Sequence, residues 1–265
     1  MKRALVLGTV FLVALLASVL ARVPLAFVLE QAGLREAGVS WTSAEGTIWR
    51  GQIDNVAVGA QPIGDVSLKL SPAALLKGTL AYEAHAQGRL GKASGKIMLG
   101  QGTLAAAGLE AKINAAQLVY AAPDIHRAGG QINVNQANIA LRNKSCQSAS
   151  GRVTSDIVSN LAAVMINQTA SDLAGALSCA GPDLQLAMQG SVAQGEPLQI
   201  VVNVALTDMP GFNVHVHKAA PIFAVGLTQY GFEPEGDGYM FRRDMSEWCC
   251  QSNANLARNF ENNRP

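Results

Sequence analysis

Apolar side chains recur at every second position along most of this chain, in short runs separated by glycine. Ile53, Val56 and Val58 open the series with one slip in period, which predicts a β-bulge. Val66, Leu68 and Leu70 keep strict period two, as do Leu80, Tyr82 and Ala84; Ile97 with Leu99 and Ile132 with Val134 are shorter copies. Leu184, Leu186 and Met188 resume the pattern, and Leu198 to Leu206 carries it furthest. Phe212, Val214 and Val216 follow a Pro210-Gly211 turn, which predicts a hairpin. Period two with glycine punctuation, at 51, 59, 64, 78, 88, 91, 95, 100, 102 and 108 in the first half, is the texture of strands with one buried face. Strands spaced about 8–14 residues apart leave no room for crossover helices of ~10–15 residues, so an antiparallel meander is expected rather than βαβ units.

Three segments depart from that period. Ile157, Leu161, Val164 and Gln168 fall at helical spacing, with Thr154 or Ser155 to cap and Gly175 near the end. They predict one helical insertion near 154–176. Val28 to Ala37 reads as a short helix or linker. The third segment is the uncharged run from Ala4 to Ala21, preceded by Lys2 and Arg3 and ended by Arg22. As a helix its 18 residues reach about 27 Å, close to the ~30 Å hydrocarbon core of a bilayer. Cleavage after Val19-Leu20-Ala21 as a signal peptide is the alternative to a retained anchor. The length of the run, Pro24 and the apolar stretch Leu25 to Leu29 favour retention. Positive charge at the start orients the N-terminus toward the cytoplasm. The expected organisation is a short cytoplasmic end at 1–3, a transmembrane anchor at 4–21, a β-rich domain outside the cytoplasm at 22–248 and a polar tail at 249–265.

The fold class expected is therefore mainly β: a single N-terminal transmembrane helix followed by an antiparallel β-sheet domain, built as a curved sheet, a sandwich or an open groove. A net charge of +1 with 15% charged residues gives no electrostatic footprint for nucleic acid. Cys146, Cys179, Cys249 and Cys250 suit an oxidising compartment. Cys146 and Cys179 flank the helical segment and are expected to staple it, although four cysteines allow three pairings and sequence does not choose among them.

GxSxG, HExxH, GxGxxG and P-loop patterns are missing, so no catalytic residue and no cofactor is assigned. His215 and His217 lie two apart on one strand and so share a face. With no third ligand recognisable, they are expected to be solvent-facing and no metal site is assigned. Trp41 and Trp49 are expected in the core of the first strands, with an interfacial role beside the membrane as the alternative. Gly46-Thr47-Ile48, Gly78-Thr79-Leu80 and Gly102-Thr103-Leu104 share a Gly-Thr-apolar pattern expected to mark strand starts.

One set of short motifs resembles a known family. Gly46-Thr47-Ile48-Trp49-Arg50-Gly51, then Leu70-Ser71-Pro72, Leu75-Leu76 and Gly78, is similar to protein N of the type II (general) secretion pathway. Leu173 to Cys179, Gly231-Phe232 and Asp237-Gly238-Tyr239 extend the resemblance, and Leu70 departs from it where the family has Trp. Gly46, Thr47, Trp49, Gly51, Pro72 and Gly78 are thereby expected to be structural positions. The resemblance implies a retained anchor in the inner membrane of a Gram-negative bacterium. It also implies a non-catalytic accessory role in protein secretion. Partners would be other inner-membrane or periplasmic subunits, with lipid contacted through the N-terminal helix. The alternative left by the residues alone is a lipid-handling protein with an apolar groove between strands.

Overall fold

A computed structural model describes residues 22–31, 33–35, 38–75, 78–100, 102–119, 121, 123–167, 169–192, 196–206, 211–217 and 227–244, together with Phe11 and Ser18. Apart from those last two, the run 4–21 expected as an anchor lies outside the described residues, as do Cys249, Cys250 and the tail. Among the described residues no helix is long and apolar enough to cross a membrane.

The alternating segments form one antiparallel sheet. Its strands are β1 (Val39–Ser40), β2 (Ser43–Thr47), β3 (Arg50–Val58), β4 (Gln61–Leu70), β5 (Leu80–Gly88), β6 (Gly91–Gly100), β7 (Thr103–Asn114) and β8 (Gln131–Arg142). It continues through β9 (Ser145–Ser155), β10 (Leu173–Ala180), β11 (Asp183–Val192), β12 (Glu196–Ala205), β13 (Gly211–His217), β14 (Glu233–Glu235) and β15 (Gly238–Asp244). From β3 to β13 every strand lies beside its sequence neighbours, and only β15 and β14 exchange places at the far edge. At the near edge β1 and β2 pair with opposite ends of β3. The meander and the open sheet are thus as expected, including the bulge between Ile53 and Val56, where Asn55 takes φ 51° and donates its N–H to Asp65 Oδ1.

The short helices sit beside the sheet: α1 (Leu25–Gln31), α2 (Pro72–Leu75), α3 (Pro123–Ala128) and α4 (Ile157–Ile166). The expected insertion near 154–176 is corrected to α4 alone. Thr154 and Ser155 finish β9, and Leu173 to Ala176 begin β10, paired with Arg152 to Ser155. Asn167 ends the helix in the left-handed region at φ 50°, its N–H bonded to the Ala162 carbonyl. Asp156 occupies the cap position without capping; Ser155 Oγ accepts from Ile157 N–H instead, and the Asp156 carboxylate accepts from the Gln131 backbone. The segment expected to start at Val28 begins as helix at Leu25 and ends at Gln31. Gly46-Thr47 closes β2 rather than starting a strand, whereas Leu80 and Thr103 do start theirs.

Among the described residues, one cluster of buried side chains lies at each end of the sheet. At the near end Leu25 and Leu29 of α1 cover Ile53 and Val56, with Trp41, Ala44, Val66 and Leu68 packed around them. At the far end Leu173, Val192, Leu198 and Val216 are buried beneath Val158 of α4, Leu227 and Phe232. A side chain of this size is worth roughly 1.5–3 kcal/mol when fully buried, so each cluster secures its end of the sheet.

Candidate functional site

Antiparallel register partners share a face, so the strand register traces what each face of the sheet presents. From Ile53 one row runs through Val66, Ala86, Ala93, Ala111 and Val134 to Val153. It continues through Gly175, Met188, Ile200 and Val216 to Tyr239. Val66 packs in the near core and Val216 belongs to the far one, so both cores lie on the same face. Between them Ala86, Ala93, Ala111 and Val134 are only half-buried. A parallel row, Leu80, Leu99 and Leu104, stands 42%, 41% and 44% exposed at one margin of that face. The sheet thus offers a continuous apolar surface capped at its ends and open along its middle.

The opposite face is polar. Gln52, Ser67, His85, Ser94 and Glu110 are successive register partners, as are Lys69, Glu83 and Lys96. Further along, Gln185 donates to Asn203 at 2.9 Å and Asn203 to Asn213 at 3.0 Å, a ladder of amides across three strands. Opposite charges on directly paired strands stabilise such a face modestly and keep it solvated.

The family-motif positions gather where the chain arrives from its N-terminal segment. Gly46 takes φ +86° in the β2–β3 hairpin, and a Cβ there would collide with the Arg50 carbonyl. Its partner Gly51 lies under Leu25. Thr47 bridges to Pro24, Ile48 N–H bonds the Val23 carbonyl and Trp49 C=O accepts from Leu70. Two residues on, Pro72 opens α2, and Gly78 turns the chain at φ +73° into β5. Trp49 is half-buried; Trp41 packs on the near core with the Arg35 guanidinium 4.4 Å over its ring. Cys146 and Cys179 are joined as a disulfide, Cα atoms 5.6 Å apart, closing the segment that holds α4.

His215 and His217 do share a face, the polar one, but the expectation that they point to solvent is corrected. Both are half-buried, their rings 3.7 Å apart, and His215 Nε2 is buried with no hydrogen-bond partner. His217 Nδ1 donates to Asp237 Oδ1 at 3.0 Å. That hydrogen bond is the main reason the Asp237 carboxyl sits below its ordinary range. Asp237 was missed as a neighbour because it lies on the β14–β15 turn, twenty positions along the sequence from His217; only the pairing of β15 with β13 brings it back. His85 is exposed on the polar face, and His126 Nδ1 contacts the Ala116 carbonyl at 2.8 Å.

Comparison with known proteins bears on the whole sheet. A family described as "Type II secretion system (T2SS), protein N" matches residues 37–242, from just before β1 into β15. Type II secretion system protein N of Vibrio cholerae serotype O1 is 34% identical over 104 residues, and the alignment spans 39% of each chain. No solved structure matches. With the family match covering nearly all of the sheet, the chain belongs to the type II secretion system protein N family.

Proposed function

We propose that this chain is an accessory component of the type II secretion system. Residues 4–21 hold it in the inner membrane, the N-terminus is cytoplasmic, and the domain at 22–248 works in the periplasm through protein–protein contacts rather than catalysis. The observation that carries the reading is the coincidence of the family match, 37–242, with the meander from β1 to β15. The Cys146–Cys179 disulfide agrees with an oxidising compartment. The partners are other inner-membrane or periplasmic subunits of the secretion complex. Membrane fractionation combined with crosslinking in cells tests this. The expected result is recovery with the inner membrane and adducts to secretion subunits; a soluble periplasmic monomer without envelope partners overturns it.

A second reading rests on the apolar row. A sheet whose greasy face is half-open between two capped ends has the form of a trough for acyl chains, and the exposed margin Leu80, Leu99 and Leu104 would be its lip. Mass spectrometry of the purified full chain distinguishes the two. Stoichiometric lipid that persists after detergent exchange supports lipid handling, and its absence leaves the protein-contact reading standing alone.

A further inference from the structure

On the polar face at the far edge of the sheet, three groups that carry metal-binding atoms meet. One ligand atom from each of His215, His217 and Asp237 lies within 4.8 Å of the others. The two histidines alternate along β13, so both project from one side, and the third group comes from the turn that joins β14 to β15. Nothing about simple packing requires this meeting. Two half-buried imidazoles stand ring against ring, and one of them keeps a buried nitrogen with no partner. Buried polar atoms are nearly always satisfied, and an unsatisfied one calls for a partner such as an ion.

We propose that His215, His217 and Asp237 form a binding site for a divalent zinc-class cation. The donor set is two neutral imidazoles and one carboxylate, which suits Zn²⁺ and its first-row neighbours, with water completing the shell. His215 brings its unpartnered Nε2. For His217, the hydrogen bond to Asp237 gives way: the imidazole binds as the neutral ring, and the proton now shared with the carboxylate leaves to solvent or moves to the other ring nitrogen. The nearest cationic group along β15, Arg242, is already neutralised by Glu235, which accepts from it at 2.8 and 3.0 Å. The cation would tie the β14–β15 hairpin to β13, closing the last edge of the sheet as a metal-locked clasp.

The test is titration of the full-length protein, stripped with chelator, using Co²⁺ as a visible probe and Zn²⁺ as its competitor. The expected result is one equivalent bound with the visible bands of low-coordinate Co²⁺, displaced by Zn²⁺. Asp237→Asn, on an exposed turn, and His217→Gln should each weaken binding by at least about tenfold. Zn²⁺ should raise the melting temperature of the parent protein and not of Asp237→Asn. His85→Gln and the double change Cys249→Ser, Cys250→Ser should leave the titration unchanged. Absence of a one-equivalent endpoint overturns the proposal. So does binding that survives Asp237→Asn and His217→Gln in folded protein, or binding abolished by the cysteine changes with loss of a thiolate charge-transfer band.

Discussion

A methyl of Leu25 occupies the space a Cβ on Gly51 would need, so the first helix rests directly on the backbone of the β2–β3 hairpin. Across that hairpin Gly46 pairs with Gly51 and holds φ +86°. The Gly-Thr-Ile-Trp-Arg-Gly motif is thereby a packing device: one glycine makes the turn and the other admits the helix. Gly46→Ala should cost about 1–3 kcal/mol, because it combines left-handed strain with a collision against rigid backbone. Gly51→Ala meets the Glu45 carbonyl as well as the Leu25 methyl, so it too should destabilise, but by less than Gly46→Ala because it carries no left-handed strain. Denaturant midpoints of the two variants check the order.

Breaking the Cys146–Cys179 disulfide releases a loop of 33 residues that contains α4. The chain-entropy argument gives a loss of roughly 3–4 kcal/mol. Cys146→Ser with Cys179→Ser should therefore lower the denaturant midpoint as much as reductant does. A further effect of reductant on the double variant would point to the other cysteines.

Asp156 serves β8 rather than its own helix, its carboxylate accepting from Gln131 N–H. Asp156→Ala should cost on the order of 1 kcal/mol, while Asp156→Asn, which keeps an acceptor, should retain most of it. Amide exchange at Gln131 reports the loss directly.

Asp54 sits below its ordinary range because Ser43 Oγ–H, first, and the Gln52 amide donate to it. A depressed carboxyl lends stability above its unfolded pKa, near pH 4, and loses it as pH falls through the lower folded value. Ser43→Ala should move Asp54 back up, so that its acid-side loss of stability becomes smaller and is complete at higher pH. Carboxyl chemical shifts followed by NMR through an acid titration give the sign.

Leu99 is 41% exposed within the row Leu80, Leu99, Leu104. Leu99→Asp should change folding stability by less than about 1 kcal/mol, since little burial is lost. A fall in co-purified lipid at unchanged melting temperature assigns the margin to lipid; a fall in crosslinked partners assigns it to protein contact.

The strands rich in Val, Ile and Leu were legible from alternation alone, and so was the bulge at Asn55. The alanine-rich β7 and the serine-rich β9 were not: Ala and Ser carry little β-preference, and their strands exist because neighbours on both sides supply register. Leu173-Ala174-Gly175-Ala176 reads as the end of the helix for the same reason. Short apolar runs fit either period, and what decides this one is the close approach of Gly175 to the Ala187 carbonyl. His215 and His217 were legible as a pair. Asp237 was not, because its position depends on β14 and β15 exchanging places at the edge.

That exchange leaves β14 as the outermost strand among the described residues, three exposed positions reading Glu233-Pro234-Glu235. Proline offers no N–H to an incoming strand, and two carboxylates repel one. A meander adds each strand to an edge already formed, so in principle it can grow without limit as the chain emerges. Here the growth carries its own stop: the edge that would template the next strand is built to refuse it.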